Sequence, residues 1–412
     1  MADSLFLSRD TRVFIRLDNS TDNAWEIPVL DGFSFSQATN ATEVSLNEMA
    51  AADGTSRRDR QLFNDSYAPA EWSFSTYARP FFDNSKDRSV EQVLWGLLAG
   101  DAYYNSAANE FRSASATGTA YIKQSTNQQT IDFAQSNKTT LGTASIWFLM
   151  GDSSDSATSS TELTAYKIEG CCVNEVTFDF DIDGIATLNW SGMGKIIKEV
   201  AVSASSSAVG QSSTVDDDLW LKVTSPAYSA SSVQIAKTAN FATTVLPTVD
   251  GIDTDTNYIR NRLSYLSASS LSTGGTATVA LTGGNITISN NLTFVTPETL
   301  GVVNQPLGHV TGTRTIGGNV TCYLNNESGS SADLFSDLIG ATNTITNVFN
   351  LTFSIGGTIA TDNVPAIEFK MESCHLEIPT HSIEDVISLE TNFHALPSAV
   401  GGTNELVVSY SG

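Results

Sequence analysis

The chain has 412 residues, with 45 Asp and Glu against 21 Lys and Arg and a formal net charge of −24. Hydrophobic residues at 41% suffice for real cores, which argues against wholesale disorder. Residues 1–206 and 207–412 each carry −12, which argues against a protein that grips DNA or RNA through clustered Lys and Arg.

The predicted elements are mostly strands. Val13, Ile15 and Leu17 alternate, as do Phe33 with Phe35 and Trp72 with Phe74. Val90, Val93, Leu94, Leu97 and Leu98 then fall at helical spacing. Ser89 with Gln92 reads as a capping box for that helix, and Gly100 as its stop. The apolar run 144–150 is strand-sized, far below the roughly 18 residues of a membrane helix.

The clearest strand follows. Val176, Phe178, Phe180 and Ile182 interleave with Thr177, Asp179, Asp181 and Asp183 in strict period two. Asp183-Gly184 signals a turn, so 175–191 is predicted as a hairpin. One face would be a core of Val176, Phe178, Phe180 and Ile182, packed on the helix through Val93, Leu94 and Leu97.

Residues 201–214 are rich in Ser and Ala, and Asp216, Asp217 and Asp218 form a solvated acid run. Residues 219–221 and 235–248 fit strands or an excursion, so 201–258 is expected to be a partly ordered linker. Beyond it come an extended stretch at 285–295 and a strand at 320–324. A second helix carries Leu334, Phe335, Leu338 and Ile339, opened by Ser330-Ser331 and closed by Gly340. Long alternating strands fill 367–393.

These elements repeat. Residues 166–171 read Tyr-Lys-Ile-Glu-Gly-Cys, and residues 369–374, 203 positions on, read Phe-Lys-Met-Glu-Ser-Cys. Asn189-Trp190 matches Asn392-Phe393 at the same offset. Each half runs through an extended stretch, a strand, a short helix and long closing strands. An internal duplication is therefore expected, with domains at 1–200 and 259–412 joined by 201–258.

Little in the chain points to chemistry. There is no Gly-x-Ser-x-Gly elbow, no His-Glu-x-x-His and no Walker loop. Gly192-Met193-Gly194-Lys195 lacks the spacing of a phosphate loop and reads as a turn. Asp179, Asp181 and Asp183 lack the twelfth-position Glu of a calcium loop, which is Trp190 here; an acidic sheet face suits them better. Cys171, Cys172, Cys322 and Cys374 form no Cys-x-x-Cys pair, and adjacent partners on a strand point to opposite faces. His381 and His394 flank Glu384 and Asp385 with nothing to orient an acid–base pair. No enzyme, cofactor or metal is expected. Residues 1–6 lack a basic n-region, so no secretory signal is expected either.

Several stretches together resemble the phage tail tube proteins. They are Gly32–Gln37 running into Ala41–Leu46, Pro69–Ser75, the hairpin 176–190, and Leu281–Asn291 followed by Thr296–Gly301. Gly312-Thr313-Arg314 and His381–Val386 add to them. The resemblance implies a mainly β fold: two tandem tube-like β-sandwich domains, each with a short flanking helix, giving strands to a ring-shaped β-barrel. It implies self-association into stacked rings, in the virion tail and assembled in the host cytoplasm. Partners would be further copies, the tape measure, tail tip and terminator proteins, and DNA passing without tight binding; no membrane is involved. Many members carry one such domain and form rings of six. With two domains per chain, three copies would close a threefold ring of near-sixfold outline, as in some non-contractile tails. Asp179 and Asp181 would then face the lumen, with Glu377, Glu384 and Glu390 as second-half counterparts of uncertain register. Alternatives are a distal or terminator tail component of the same fold group, or a Ser/Thr-rich adhesin.

Overall fold

The computed structural model describes Ser8 and residues 11–43, 62–151, 163–200 and 258–412. Residues 20–22, 84–85, 114, 116, 134–140, 271–275, 299–302, 341–348, 360–363, 384 and 400 are left aside within these ranges. Between 201 and 257 it describes only 202–203, 221–223, 235–236 and 244–246. Among the described residues the fold is mainly β, 61% strand against 7% helix, which settles the class.

In the first half the strands open with β1 (Arg12–Leu17), β2 (Asn23–Ile27), β3 (Ser34–Ser36), β4 (Thr39–Glu43) and β5 (Leu62–Tyr67). Next come β6 (Ala70–Tyr77), β7 (Pro80–Asp83), β8 (Lys86–Ser89) and helix α1 (Gln92–Ala99). Four short strands follow: β9 (Tyr103–Asn105), β10 (Glu110–Arg112), β11 (Ala120–Gln124) and β12 (Gln129–Asp132). The half ends on β13 (Ala144–Gly151), the 19-residue β14 (Leu163–Asp181), β15 (Thr187–Gly194) and β16 (Ile196–Val200). Short strands β17 (Val202–Ser203), β18 (Leu221–Val223), β19 (Ile235–Ala236) and β20 (Thr244–Leu246) lie in the linker.

The second half has β21 (Tyr265–Ser270), β22 (Thr276–Ser289), β23 (Thr293–Val295), β24 (Gly308–Val310) and β25 (Thr315–Tyr323). Helix α2 (Ser331–Gly340) precedes β26 (Phe349–Ile355), β27 (Ala366–Leu376), β28 (Thr380–Ile383), β29 (Ile387–Ala395) and β30 (Val407–Ser411).

β14 serves two sheets. Its first part pairs with β13 and β16, its last part with β15 and β22. Gly170, at φ +59, takes the left-handed backbone where the strand changes sheets, a conformation that costs a glycine little. β27 also changes neighbours along its length, with β26 and β30 beside its first part and β29 beside its end, but all within one sheet. In the second half β22, β25, β29, β27, β26 and β21 close into a six-stranded barrel. The first-half strands do not close this way: β3 pairs only with β6, among the described residues.

The halves are not independent. β14 pairs with β22, and the C-terminal strand β30 pairs with β12 as well as β27. One apolar core runs from Val13 to Tyr410 across both halves.

α1 differs from its sequence reading at the start. Glu91, not Ser89, is the N-cap, and no side chain caps the helix. Ser89 ends strand β8, and its N–H is bonded to Gln129 Oε1 at 2.7 Å, so the capping box does not form. Ile182 also departs from expectation. β14 stops at Asp181, which leaves Ile182 in the turn, 47% exposed, rather than on the core face. In the linker, β20 pairs in parallel with β2. The chain re-enters at Tyr258, whose ring meets Tyr77 at 5.4 Å and lies under Arg79 at 4.4 Å.

Candidate functional site

The strands β3, β6, β15, β14, β22, β25, β29 and β28 pair in that order into one antiparallel run. Antiparallel sheets with one buried and one wet face alternate apolar and polar residues. Here Phe74, Trp190, Val176, Ile288, Ile316 and Phe393 turn inward and are buried. The opposite face carries Ser75, Asn189, Thr177, Thr287, Asn319 and Asn392.

Side chains bridge the strands of that polar face. Ser75 Oγ donates to Asn189 Oδ1 at 2.6 Å, and Asn189 Nδ2 to Asp179 Oδ2 at 2.7 Å. The Thr177 and Thr287 hydroxyls meet at 3.2 Å across the seam between the halves. Asn392 Nδ2 donates to Glu377 Oε2 at 2.8 Å, a second Asn–carboxylate bridge on this face.

The charge of the face has one sign. Glu71, Glu175, Asp179, Asp181 and Glu390 stand in these strands, taking β14 from residue 175, and no Lys or Arg does. Partial burial raises the Asp179 carboxyl above its ordinary value, opposed by the Asn189 bond. Glu377 and Glu390 are exposed on this side; Glu384 lies outside the described residues.

The sequence-proposed packing partners come together. Val176, Phe178 and Phe180 share one core with Val93, Leu94 and Leu97, and α1 packs on β14. α1 is buried on every side because β12 and β30 also cover it, with Trp95 edge-on to Trp190 at 5.0 Å and Trp95 Nε1 donating to Tyr410 Oη at 2.9 Å.

Two hairpins stand outside the run, β4 with β5 and β23 with β24. They expose Leu62 and Phe63 on one, Val295 and Val310 on the other. Tyr67 N–H donates to the Asn304 carbonyl at 2.9 Å, and Asn304 N–H to the Asp65 carbonyl at 3.0 Å, so the two hairpin regions touch.

Two polar contacts escaped the sequence because their members are far apart along the chain. Cys172 Sγ lies 2.9 Å from His309 Nδ1. Burial pushes the thiol far up and the imidazole down, so both are neutral, a packed contact rather than an activated thiolate. Tyr410 Oη donates to buried Glu91 Oε1 at 2.5 Å. All four cysteines are buried and unbridged. Among the described residues no cluster of three His, Cys, Asp or Glu could hold a metal.

No family model matches the chain. Tail tube protein pb6 of Escherichia phage T5 is 28% identical over 414 residues, covering 99% of this chain and 76% of that protein. The chain is similar to this phage tail tube protein over nearly its whole length. The similarity spans both halves and the linker, beyond the stretches that carried the resemblance. That relative is by its name a protein of the phage tail tube, so the likeness points to the tail of the virion.

Proposed function

We propose that the chain self-assembles into rings of three, stacked into the tail tube, with residues 1–200 and 259–412 acting as two tube domains and 201–258 bridging them. The observation that carries this is the eight-stranded run, two strand sets joined inside one chain, each ending in an edge strand. A closed barrel removes such edges, and exposed edges otherwise invite unregulated pairing. Three copies would supply six domains around one channel.

The polar face then lines the lumen. Its carboxylates and its lack of Lys and Arg leave DNA phosphate nothing to hold, so the genome passes without tight binding. Asp179 and Asp181 belong to that lining. The exposed apolar hairpins suit ring-on-ring contact, which is heterologous and repeats into an open filament. The tape measure, tail tip and terminator proteins would meet the tube inside and at its ends. No catalytic role is part of this reading.

Electron microscopy of purified protein or virions tests it. Stacked rings with an open channel, threefold symmetry and a six-sided outline are expected. Rings of six chains would overturn the duplication, and protein that never polymerises on a tail-tip nucleus would overturn the tube.

A further inference from the structure

Within the ring reading, on which this inference rests, the seam inside the chain gives the register of the seam between chains. Inside, the last part of β14 meets β22 with Glu175 opposite Ser289, Val176 opposite Ile288 and Thr177 opposite Thr287. Each of these positions has a counterpart in the other half.

The counterparts follow from strand pairing. Asn189-Trp190 of β15 corresponds to Asn392-Phe393 of β29. Trp190 faces Val176, and Phe393 faces Leu376, so Leu376 stands where Val176 does. His375 then matches Glu175 and Glu377 matches Thr177. Across the other edge, Asn189 faces Ser75 on β6 and Asn392 faces Asn319 on β25. Two residues back, Ser73 faces Ser34 on β3, while Gly317 faces Thr287 on β22. Ser34, Phe35 and Ser36 therefore stand where Thr287, Ile288 and Ser289 do.

The faces agree with this alignment. Ser34 bonds Ser73 on the polar side at 2.8 Å, as Thr287 bonds Thr177 at 3.2 Å. Phe35 turns inward onto Phe148 at 4.6 Å, and Ile288 is buried. The two edges also remain open. β3 pairs only with β6, and past Cys374, where β26 stops, His375 and Leu376 pair only with β29, among the described residues. Ile378 and Ile383, beside the second edge, are 74% and 80% exposed.

We propose that the end of β27, with Glu377 just beyond it, pairs antiparallel with β3 of a second copy, placing Glu377 opposite Ser34, Leu376 opposite Phe35 and His375 opposite Ser36 of that copy. The occupant is another copy of this chain because its own internal seam already shows the fit of these two edges.

Disulfide trapping tests the register, because directly opposed strand residues lie within disulfide reach and the native thiols are buried. Full-length protein carrying Ser34→Cys with Glu377→Cys is assembled, oxidised and run on a non-reducing gel. The monomer band should shift to covalent dimers and trimers. Ser36→Cys with His375→Cys supplies a second pair in the same register and should do the same. Thr177→Cys with Thr287→Cys should link within the chain and leave the monomer band in place. Rings visible by microscopy with no link in either in-register pair, or with a link only in the shifted pair Ser36→Cys and Glu377→Cys, would overturn the register and leave the ring standing. Absence of rings in wild-type protein would overturn the ring reading, and the seam with it.

Discussion

Glu91 is a carboxyl whose ionisation the fold controls. It is fully buried, and burial pushes its carboxyl from 4.5 up to about 7, against the opposing bond from Tyr410. The folded chain thus holds a proton that the unfolded chain releases between these values. Stability from this group is full below pH 4.5, falls as pH rises, and levels off above about 7. Asp87 acts in the same sense over a lower window, from 3.8 to about 6. Glu91→Gln should remove the slope between pH 6 and 7 and stabilise the protein at pH 8 by on the order of 2 kcal/mol. Urea unfolding midpoints at pH 5 and pH 8 check this; an unchanged slope would count against it.

Among the elements, β30 joins the halves at the C-terminal end, as β14 and β22 do at their seam. It lies between β12 of the first half and β27 of the second, and it presents Tyr410 to Glu91 and Trp95. In the first half β16 flanks β14 much as β30 flanks β27. β16 pairs only with β14, among the described residues. The difference has a cause in chain length. The first half inserts 44 residues between α1 and β13, enough for β9 to β12, whereas only 8 separate α2 from β26. Removing residues 407–412 would uncover two strand edges and leave Glu91 buried without its donor. The truncated chain should aggregate on expression or unfold at a clearly lower temperature, as read by light scattering and circular dichroism. A melting temperature equal to that of the full chain would refute the clasp.

At the scale of the whole molecule, charge is the property with a functional consequence. The net −24 is general, but the polar face concentrates acids where strands carry no Lys or Arg. Asp179→Lys with Asp181→Lys leaves the buried face of β14 untouched, so tubes should still form. Phage carrying both should eject DNA more slowly or incompletely, through phosphate held at the lumen. Potassium efflux or DNA release kinetics would read this. Ejection at the wild-type rate from normal tubes would place these residues elsewhere.

Period-two alternation made much of this legible beforehand. Val176, Phe178 and Phe180 against Thr177, Asp179 and Asp181 gave strand, face and hairpin without any tertiary knowledge, because side chains alternate across a strand by geometry. The matched hexapeptides pointed to β14 and β27 as equivalents, and both are long strands that change neighbours along their length. Local rules failed where tertiary packing overrode them. Ser89 looked like a cap but is held in a strand by Gln129, and Ile182 kept the period but fell in the turn. Partners were a different matter. Backbone pairing is blind to side-chain pattern, so alternation says which face is wet but not which strand lies alongside. The sequence by itself therefore determined an acidic β protein whose strands have one wet face. Only the tertiary structure decided that β14 meets β22, that β30 crosses to β12, and which edges are left open, because those choices depend on contacts between residues hundreds of positions apart.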